Sequence, residues 1–360
     1  MQALLRSIYS RHLRPLLFSL DPEMAHELAG SMGVGLSALP GMPELLSGQF
    51  RFSADSLKQN LVGVDFPNPV GLAAGFDKTG ELFPFLEHLG FGFIESGTFT
   101  ANIQPGNVRP RLFRFPEEGA LVNRMGFNNP GAVAAAAILG EQRRNIPRGI
   151  NVGKSKATPL KLAGADYAES ISRLARFGDY LAINISSPNT PGLRELQGRS
   201  ALRELLLAVK EAIAAAGALP LFVKIAPDIT PAELDMILAV LLEMSVDGVI
   251  ISNTTVERDE HSAARAVPGG LSGRPLRERS CELVRQCYRA AGDRLVIVGV
   301  GGIFNGDDVI ERLRAGAHLV QVYTGFVYGG PWLPGDLNRH LAGFLEAEGL
   351  SLSELRGSGA

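Results

Sequence analysis

Short apolar runs alternate with amphipathic stretches along most of the chain. The runs are rich in Val and Ile and do not alternate with polar residues, a pattern typical of strands buried on both faces of a parallel sheet. Eight such runs occur: Val70–Ala74, Phe93–Ser96, Gly149–Val152, Tyr180–Ile185, Leu221–Ile225, Gly248–Ile251, Leu295–Val300 and Leu319–Tyr323. The separating stretches predict helices: Phe83–Leu89, Asp166–Ala175, Ala201–Ala216, Ala232–Met244, Ser280–Ala291 and Asp307–Ala315. Val62–Phe66 and the Pro-flanked Val70–Ala74 suggest a hairpin that leads into the first run.

This order of strands and helices places the chain in the α/β class and predicts a (β/α)8 TIM barrel. A doubly wound sheet is the alternative fold. We expect the barrel to span residues 47–346 and to be followed by a C-terminal tail, residues 347–360. In a barrel, the active site lies at the C-terminal ends of the strands.

Residues 1–46 predict a helical appendage of two short helices, separated where Asp21 is a plausible N-cap and Pro22 suits a first helical turn. The first helix carries arginines and no acidic residue. The second repeats an apolar residue at helical spacing on one stripe: Met24, Leu28, Met32 and Leu36. This pair either packs on its own domain or lies on anionic lipid as an interfacial anchor.

Composition excludes several classes of protein. The 360 residues include 35 Lys and Arg against 37 Asp and Glu, so the chain lacks the basic excess that nucleic-acid binding needs. No run of apolar residues is long enough to span a membrane. Cys281 and Cys287 fit neither a metal knuckle nor a disulfide framework, and they are expected as core or surface thiols in a reducing compartment. The scattered histidines predict no metal site.

Polar and small residues gather where the predicted strands end. Glycines follow the seventh strand at Gly301 and Gly302, and a Thr324–Gly325 turn follows the eighth, which is where barrels bind phosphate. A phosphorylated ligand is therefore expected. Several amides, which can match the alternating C=O and N–H edge of a flat heterocycle, also gather at the predicted mouth: Asn123, Asn151, Asn184, Asn189 and Asn253.

Two lysines stand at the ends of apolar strands, where an unpaired ammonium is costly. Lys78 and Lys224 are either satisfied ion pairs or fixed cations, one for a carboxylate and one for a delocalised anion such as a reduced flavin ring. A Schiff-base role for Lys224 is the rival chemistry. The long connection Asn253–Leu271 is the candidate lid.

Five strings in this order resemble the dihydroorotate dehydrogenase family. They are Gly71–Lys78 (GLAAGFDK), Pro105–Arg114 (PGNVRPRLFR), Asn123–Asn129 (NRMGFNN), Asn184–Gly192 (NISSPNTPG) and Gly269–Pro275 (GGLSGRP). The resemblance covers nearly the whole chain. Because it extends to the N-terminal helices, the chain resembles the membrane-associated, quinone-dependent class 2 of the family.

The resemblance implies FMN as cofactor, oxidation of dihydroorotate to orotate in pyrimidine (UMP) biosynthesis, and a quinone as final electron acceptor. It further implies peripheral attachment to the cytoplasmic face of the inner membrane. Residues 1–46 would then provide membrane association and quinone access, with Arg114 and Tyr323 as polar partners of the quinone. A class 1 enzyme that uses fumarate or NAD is disfavoured, because that class places a cysteine as base.

Residue roles carry over from the same resemblance. Ser187 would remove the C5 proton of dihydroorotate while a hydride leaves C6 for the flavin, and a Thr190 hydroxyl or a water would relay the proton beside Phe127. The substrate contacts would be Lys78, Asn123, Arg124, Met125, Gly126, Phe127, Asn184, Asn189, Asn253 and Thr254. The flavin contacts would be Ala74, Gly75, Phe76, Asp77, Lys78, Thr98, Asn151, Asn184, Lys224, Ser252, Gly273, Gly302, Tyr323 and Thr324.

This chain departs from the family pattern at two of these positions: Thr324 stands where serine is frequent, and Phe76 where leucine is frequent. Neither change removes the expected backbone contacts. Two hypotheses from other classes remain beside the flavoenzyme. One is a flavin-free aldolase with a Lys224 Schiff base, and the other is a membrane-peripheral binding protein without catalysis.

Overall fold

The eight apolar runs form a closed parallel barrel in the computed structural model, which describes residues 2–360. In chain order the strands are β1 (Gln59–Leu61), β2 (Val64–Phe66), β3 (Val70–Leu72), β4 (Phe93–Phe99), β5 (Leu112–Phe115), β6 (Ala120–Asn123), β7 (Arg148–Gly153), β8 (Tyr180–Asn184), β9 (Leu221–Ile225), β10 (Gly248–Ile251), β11 (Gly270–Gly273), β12 (Val296–Val300) and β13 (Leu319–Val322). The barrel consists of β3, β4, β7, β8, β9, β10, β12 and β13, and β13 pairs with β3 to close it. The predicted TIM barrel is confirmed.

Each barrel strand is buried along its whole length, which explains why the apolar runs do not alternate with polar residues. Aromatic side chains fill the barrel interior. Phe93 packs edge-on against Phe66, with ring centroids 5.3 Å apart, and Tyr180 lies 5.0 Å from Phe222. The hairpin β1–β2 packs on this interior cluster. The predicted hairpin of Val62–Phe66 with Val70–Ala74 is wrong, because β2 pairs with β1 and Val70–Leu72 joins the barrel in parallel with β4 and β13. Val62 lies in the turn between β1 and β2.

Helices cover the outside of the barrel. The structure has α1 (Gln2–Ile8), α2 (Arg14–Ser19), α3 (Pro22–Ser37), α4 (Met42–Phe50), α5 (Phe83–Leu86), α6 (Gly131–Gly140), α7 (Ala163–Leu174), α8 (Arg199–Ala216), α9 (Pro231–Glu243), α10 (Arg277–Ala291), α11 (Gly306–Arg314), α12 (Thr324–Gly329), α13 (Leu333–Glu348) and α14 (Leu352–Leu355). The six predicted helices are confirmed within a few residues. Cys281 and Cys287 are buried in α10, so both are core thiols.

A second, three-stranded antiparallel sheet lies beside the mouth of the barrel. It has the order β11, β6, β5, so the segment 270–273 pairs with a hairpin more than a hundred residues earlier in the chain. The pattern of apolar runs does not predict this sheet, because its strands are four residues long. The sheet places the strings around Asn123 and Ser272 side by side above the barrel.

The N-terminal segment holds three continuous helices instead of the two expected. A π-helical turn, Tyr9–Leu13, joins α1 and α2 into the first of them. Asp21 caps the second, α3, as predicted, and the third, α4, crosses residue 46 and ends at Phe50. Small residues let α3 approach α5 closely: a Cβ at Gly33 would lie 2.4 Å from the Phe85 ring. Among residues 2–360, no helix combines the length and the apolar character needed to cross a bilayer.

Candidate active site

A cavity of about 140 Å³ opens at the C-terminal ends of the barrel strands, where the small sheet overhangs them. The cavity brings together most of the residues singled out in the sequence: Ala74, Gly75, Lys78, Thr98, Asn123, Met125, Gly126, Phe127, Asn184, Ser187, Asn189, Lys224, Ser252, Asn253, Thr254, Gly273, Gly302, Tyr323 and Thr324.

Four of the expected substrate and flavin contacts do not line this cavity, and neither does the expected relay residue Thr190. The Arg124 guanidinium turns away and donates to the Pro110 carbonyl over 2.8 Å. Phe76 packs against Tyr323, and the buried Asp77 carboxylate accepts hydrogen bonds from Ser96 and from the backbone of its own loop. Asn151 lies one layer deeper, where its Oδ1 accepts from Thr98 over 2.6 Å. These residues support the cavity wall from behind.

The amides form one continuous hydrogen-bonded chain down into the barrel. Asn253 Nδ2 donates to Asn184 Oδ1 over 3.2 Å, and Asn184 Nδ2 donates to Thr98 Oγ1 over 3.1 Å. Asn151 continues the chain from Thr98 to the carboxylate of Glu95, with 2.7 Å between Nδ2 and Oε1. A second pair closes the other side, because Asn189 Nδ2 donates to Asn123 Oδ1 over 3.1 Å. The side chains are therefore oriented by one another.

Glu95 and Gln321 are functional candidates that the sequence reasoning missed. Glu95 is fully buried on β4, and its carboxylate lies 3.9 Å from the Lys224 ammonium. Gln321 on β13 lines the cavity and donates from Nε2 to Glu95 over 2.8 Å, while its Oε1 has no hydrogen-bond partner. Charged or amide residues that interrupt Val- and Ile-rich strands are the signal that could have identified both.

Lys78 projects from the loop after β3 toward the N-terminal helices. Burial lowers the pKa of its ammonium to about 8, against the attraction of Glu23 on α3. Glu23 itself bonds Arg111, with 2.7 Å between Oε1 and Nη2. Although burial opposes it, Arg111 and Arg109 hold the pKa of the Glu23 carboxyl below its usual range. A small change of environment around Lys78 therefore changes its charge near neutral pH.

Ser187 lies in the loop after β8 and is almost fully buried. Its Oγ accepts a hydrogen bond from the Asn189 backbone N–H over 3.2 Å, which fixes the hydroxyl at the cavity wall. Thr190 is buried nearby in the same loop, and its Oγ1 has no hydrogen-bond partner. Phe127 adopts a positive φ of 54°, and Gln104 and Asn129 hold its carbonyl. Ser187 and Phe127 thus line the cavity, and the unpaired Thr190 hydroxyl lies outside the lining, three residues after Ser187 in the same loop.

One arginine ties this serine loop to the long connection after β10. Arg194 donates to the Ser186 carbonyl over 3.0 Å, to the Thr254 carbonyl over 3.1 Å, and to the Asp228 carboxylate over 2.7 Å. The connection Asn253–Leu271 is clasped at its base, because Thr255 and Leu271 exchange backbone hydrogen bonds. Its outer part, residues 256–263, is mostly exposed.

Glycines shape the opposite end of the cavity. Gly302 has a φ of 73°, and a Cβ there would lie 2.4 Å from the Arg277 backbone, so only glycine fits. The turn that begins α12 at Thr324 lies beside it in the cavity lining, and the Thr324 hydroxyl is 2.8 Å from that of Ser272. Backbone and small side chains that line this end of the cavity suit a phosphate group.

The cavity lining holds no His, Asp, Glu or Cys side chain. No group of three metal-ligating side chains occurs among residues 2–360. Cys281 and Cys287 lie in the buried core, and burial raises the pKa of the Cys287 thiol to about 12.

Comparison with known proteins places this geometry in a family. The model of the family described as dihydroorotate dehydrogenase matches residues 56–345. A relative from Gloeobacter violaceus, dihydroorotate dehydrogenase (quinone), is 48% identical over 344 residues, covering 94% of this chain and 95% of the relative. A relative of the same name from Salinispora arenicola is 50% identical over 335 residues, covering 91% of this chain and 96% of its own.

Solved structures agree with the sequence comparison. The crystal structure of DHODH from Eimeria tenella in complex with ferulenol superposes with a TM-score of 0.86 at 36% identity, covering 94% of this chain and 95% of that one. The ligand-free structure from the same organism gives the same TM-score and covers 99% of that chain. This chain belongs to the dihydroorotate dehydrogenase family, and the curated relatives it resembles are its quinone-dependent members.

Proposed function

We propose that this protein oxidises dihydroorotate to orotate with FMN as hydride acceptor and a membrane quinone as final electron acceptor, in pyrimidine (UMP) biosynthesis. One observation carries the proposal. The serine, the lysines and the amides that the family resemblance singles out lie far apart in the sequence, yet they line one cavity at the barrel mouth. Family membership over nearly the full length supports the same activity.

The residues present fit FMN. The cavity offers a glycine and threonine turn for the phosphate at Gly302 and Thr324, and an ammonium at Lys224 for the ring system. The buried Gln321 Oε1, which lacks a donor within the chain, can accept a hydrogen bond from a polar ring. Ala74, Gly75, Thr98, Ser252, Gly273 and Tyr323 complete the cofactor contacts. When bound, FMN supplies the acceptor for the hydride that leaves C6 of dihydroorotate.

Ser187 acts as the base that takes the proton from C5 of dihydroorotate. The electron pair left behind forms the C5–C6 double bond of orotate as the hydride leaves C6. A serine hydroxyl is a poor base alone, so its own proton must move onward. Thr190, whose Oγ1 is buried and unpaired, can take part in that relay directly or through a water. Phe127 shields this part of the site from bulk solvent.

The amides hold the substrate's pyrimidine ring, and Lys78 holds its carboxylate. Asn123, Asn184, Asn189 and Asn253 are already oriented by their mutual hydrogen bonds, so substrate binding needs little rearrangement. Thr254 and the backbone of Met125 and Gly126 close the ring's edge. Residues 253–271 serve as the lid, and Arg194 ties its base to the Ser187 loop.

Residues 1–46 provide membrane association and quinone access. An aromatic path leads from α3 to the cavity wall: the His26 ring lies 4.7 Å from Phe76, and Phe76 lies 5.6 Å from Tyr323. Arg114 is fixed beside this path, since it donates to the Leu17 carbonyl and lies 4.7 Å over the Phe18 ring. The exposed apolar side of α3 rests on the cytoplasmic face of the inner membrane as a peripheral contact. The barrel, residues 47–346, carries the catalytic site.

The rival aldolase chemistry fits less well. A Schiff base requires a neutral amine at Lys224; burial lowers the pKa of that amine, but the Glu95 carboxylate 3.9 Å away opposes the shift and favours the ammonium. A binding protein without catalysis would not require a buried serine and an unpaired threonine hydroxyl on one loop.

A spectroscopic experiment tests the proposed function. The purified protein is expected to be yellow and to release FMN on denaturation. Anaerobic dihydroorotate is expected to bleach the flavin absorbance, and a quinone is expected to restore it. A colourless protein that binds no FMN, or a bound flavin that dihydroorotate leaves oxidised, would contradict the proposal.

A further inference from the structure

The Glu95 carboxylate sits one layer beneath the cavity and has no contact with its opening. It is fully buried, yet four elements of the barrel present a donor to it. Asn151 on β7 lies at 2.7 Å, Gln321 on β13 at 2.8 Å and the Tyr180 hydroxyl on β8 at 3.2 Å. Lys224 on β9 is the fourth, at 3.9 Å. All four groups point donors at the carboxylate, so its oxygens serve only as acceptors here.

Lys224 depends on this carboxylate for its charge. The ammonium is almost fully buried at the cavity wall, and burial lowers the pKa of Lys224, while Glu95 opposes that shift. No other ion pair of Lys224 occurs in the described chain within 4.0 Å. A buried ammonium without a counter-charge tends to lose its proton instead of remaining ionised.

Building on the proposed function, we propose that Glu95 is a positioning residue for the cofactor half of the site. It holds the Lys224 ammonium at the cavity wall and keeps it charged, so that a fixed positive charge faces the ring system that becomes anionic on reduction. Glu95 touches neither cofactor nor substrate and acts through Lys224.

The hydrogen-bond chain gives Glu95 a second connection. Asn151 joins it to Thr98 and Asn184, so the carboxylate that fixes Lys224 also orients the amide that faces the substrate. Gln321 can adapt if the carboxylate becomes an amide: its unpaired Oε1 can turn to accept from the new amide nitrogen. Glu95→Gln therefore removes the charge with little loss of shape.

The test measures the ratio of reduced to oxidised bound FMN at a fixed potential from pH 6 to pH 9. The wild-type protein is expected to show no step from the ionisation of Lys224. Reduction of FMN takes up a proton, so the ratio falls with pH in every variant, and each variant is compared with the wild-type protein at the same pH. In Glu95→Gln the lysine is expected to lose its proton within this range, so at the alkaline end the ratio falls about tenfold below that of the wild type, which equals about 30 mV for a two-electron couple. At pH 6, where the lysine is still charged, the two ratios are expected to agree.

A double-mutant cycle shows whether Glu95 acts through Lys224. In a Lys224→Met background, Glu95→Gln is expected to change the ratio less than twofold. In a Lys224→Arg background, where the charge persists at pH 9, the step is expected to vanish. Glu87→Gln is the matched control, because Glu87 is a buried carboxylate on the outside of the barrel that accepts from Asn145.

Several outcomes overturn the inference. A profile for Glu95→Gln that coincides with that of the wild type when FMN is bound, or an equal effect in the Lys224→Met background, would do so. If Glu95→Gln does not fold, Glu95→Asp replaces it. Its retracted carboxylate is expected to give the same step at a higher pH, and a profile identical to that of the wild type would overturn the inference. Wild-type protein that binds no FMN would overturn the proposed function as well, which distinguishes the two failures.

Discussion

The barrel mouth and the N-terminal helices differ in how their side chains are partnered. At the mouth, buried polar groups are paired with one another in a chain that runs from Asn253 to Glu95. On α3, apolar side chains face outward, and Met24, Leu28, Met32 and Leu36 are 40% to 56% exposed. The mouth is therefore organised before any ligand binds, whereas the outer side of α3 has no partner within the described chain.

The two regions are in contact along one side of α3. Gly30 and Gly33 let α3 lie against Leu82 and Phe85, and Glu23 is paired with Arg111. One side of the helix is thus fixed to the barrel, while the opposite side is left to the surroundings. We therefore expect the barrel mouth to carry the chemistry and the outer side of α3 to contact an apolar environment. Each prediction below tests whether the two roles separate.

The largest effect is expected from the catalytic serine. Ser187→Ala should leave FMN bound but slow its reduction by dihydroorotate about 10²–10⁴-fold, because a positioned base contributes about that much. Anaerobic stopped-flow spectroscopy measures this rate. Ser170→Ala, a change at a buried serine on α7 away from the cavity, is the matched control. Near-normal reduction in Ser187→Ala would refute the assignment of the base.

The outer side of α3 should control membrane binding. Replacing Met24, Leu28, Met32 and Leu36 together by Gln should lower partition onto anionic vesicles on the order of 1,000-fold, since each apolar side chain contributes about 1 kcal/mol or more when buried. Vesicle co-sedimentation measures the partition. The matched control places Gln at Leu162 and Leu207, which are 50% and 55% exposed on the barrel. An equal loss of vesicle binding in both variants would show that the outer side of α3 has no special role in membrane binding.

Substrate affinity should depend on pH through Lys78. Its pKa of about 8 means that the ammonium that holds the carboxylate is present below pH 8 and is lost above it. Orotate affinity is therefore expected to be constant from pH 6 to 7.5 and to fall about tenfold per pH unit well above pH 8. Titration of the flavin absorbance with orotate measures it. Affinity that stays constant up to pH 9.5 would show that Lys78 does not hold the carboxylate as an ammonium.

The smallest effect is expected at the proton relay. Thr190→Val removes a hydroxyl that has no hydrogen-bond partner in the chain, so no buried group is left unsatisfied by its loss. Flavin reduction is expected to slow about tenfold, at the lower edge of what acid–base assistance contributes, while the thermal midpoint stays the same. A reduction rate within twofold of the wild type would place the relay elsewhere.

Sequence patterns predicted the barrel because its strands are buried on both sides and therefore stand out as apolar runs. The small sheet was not predicted, because β5, β6 and β11 are short and β11 comes from a distant segment of the chain. Helix α4 was missed because Gly41, Pro43 and Gly48 resemble a loop, although Gly41 is the N-cap of the helix and Pro43 suits its first turn.

Most of the candidate site was predicted because its residues follow strand ends or belong to the family strings. Glu95 and Gln321 were missed, since their importance comes from neighbours on other strands that only the closed barrel brings together. Arg124 was expected in the cavity because its neighbours in the string are there. Its guanidinium instead turns to the Pro110 carbonyl and the Phe113 ring.

The most direct test of the two roles measures both half-reactions by anaerobic stopped flow, in the variant with the four α3 substitutions and in Ser187→Ala. The account predicts that the α3 variant reduces its flavin with dihydroorotate within twofold of the wild type, but that vesicle-embedded quinone reoxidises the flavin at least tenfold more slowly. Ser187→Ala should show the reverse. If both half-reactions slow together in either variant, the separation of mouth and helices is wrong.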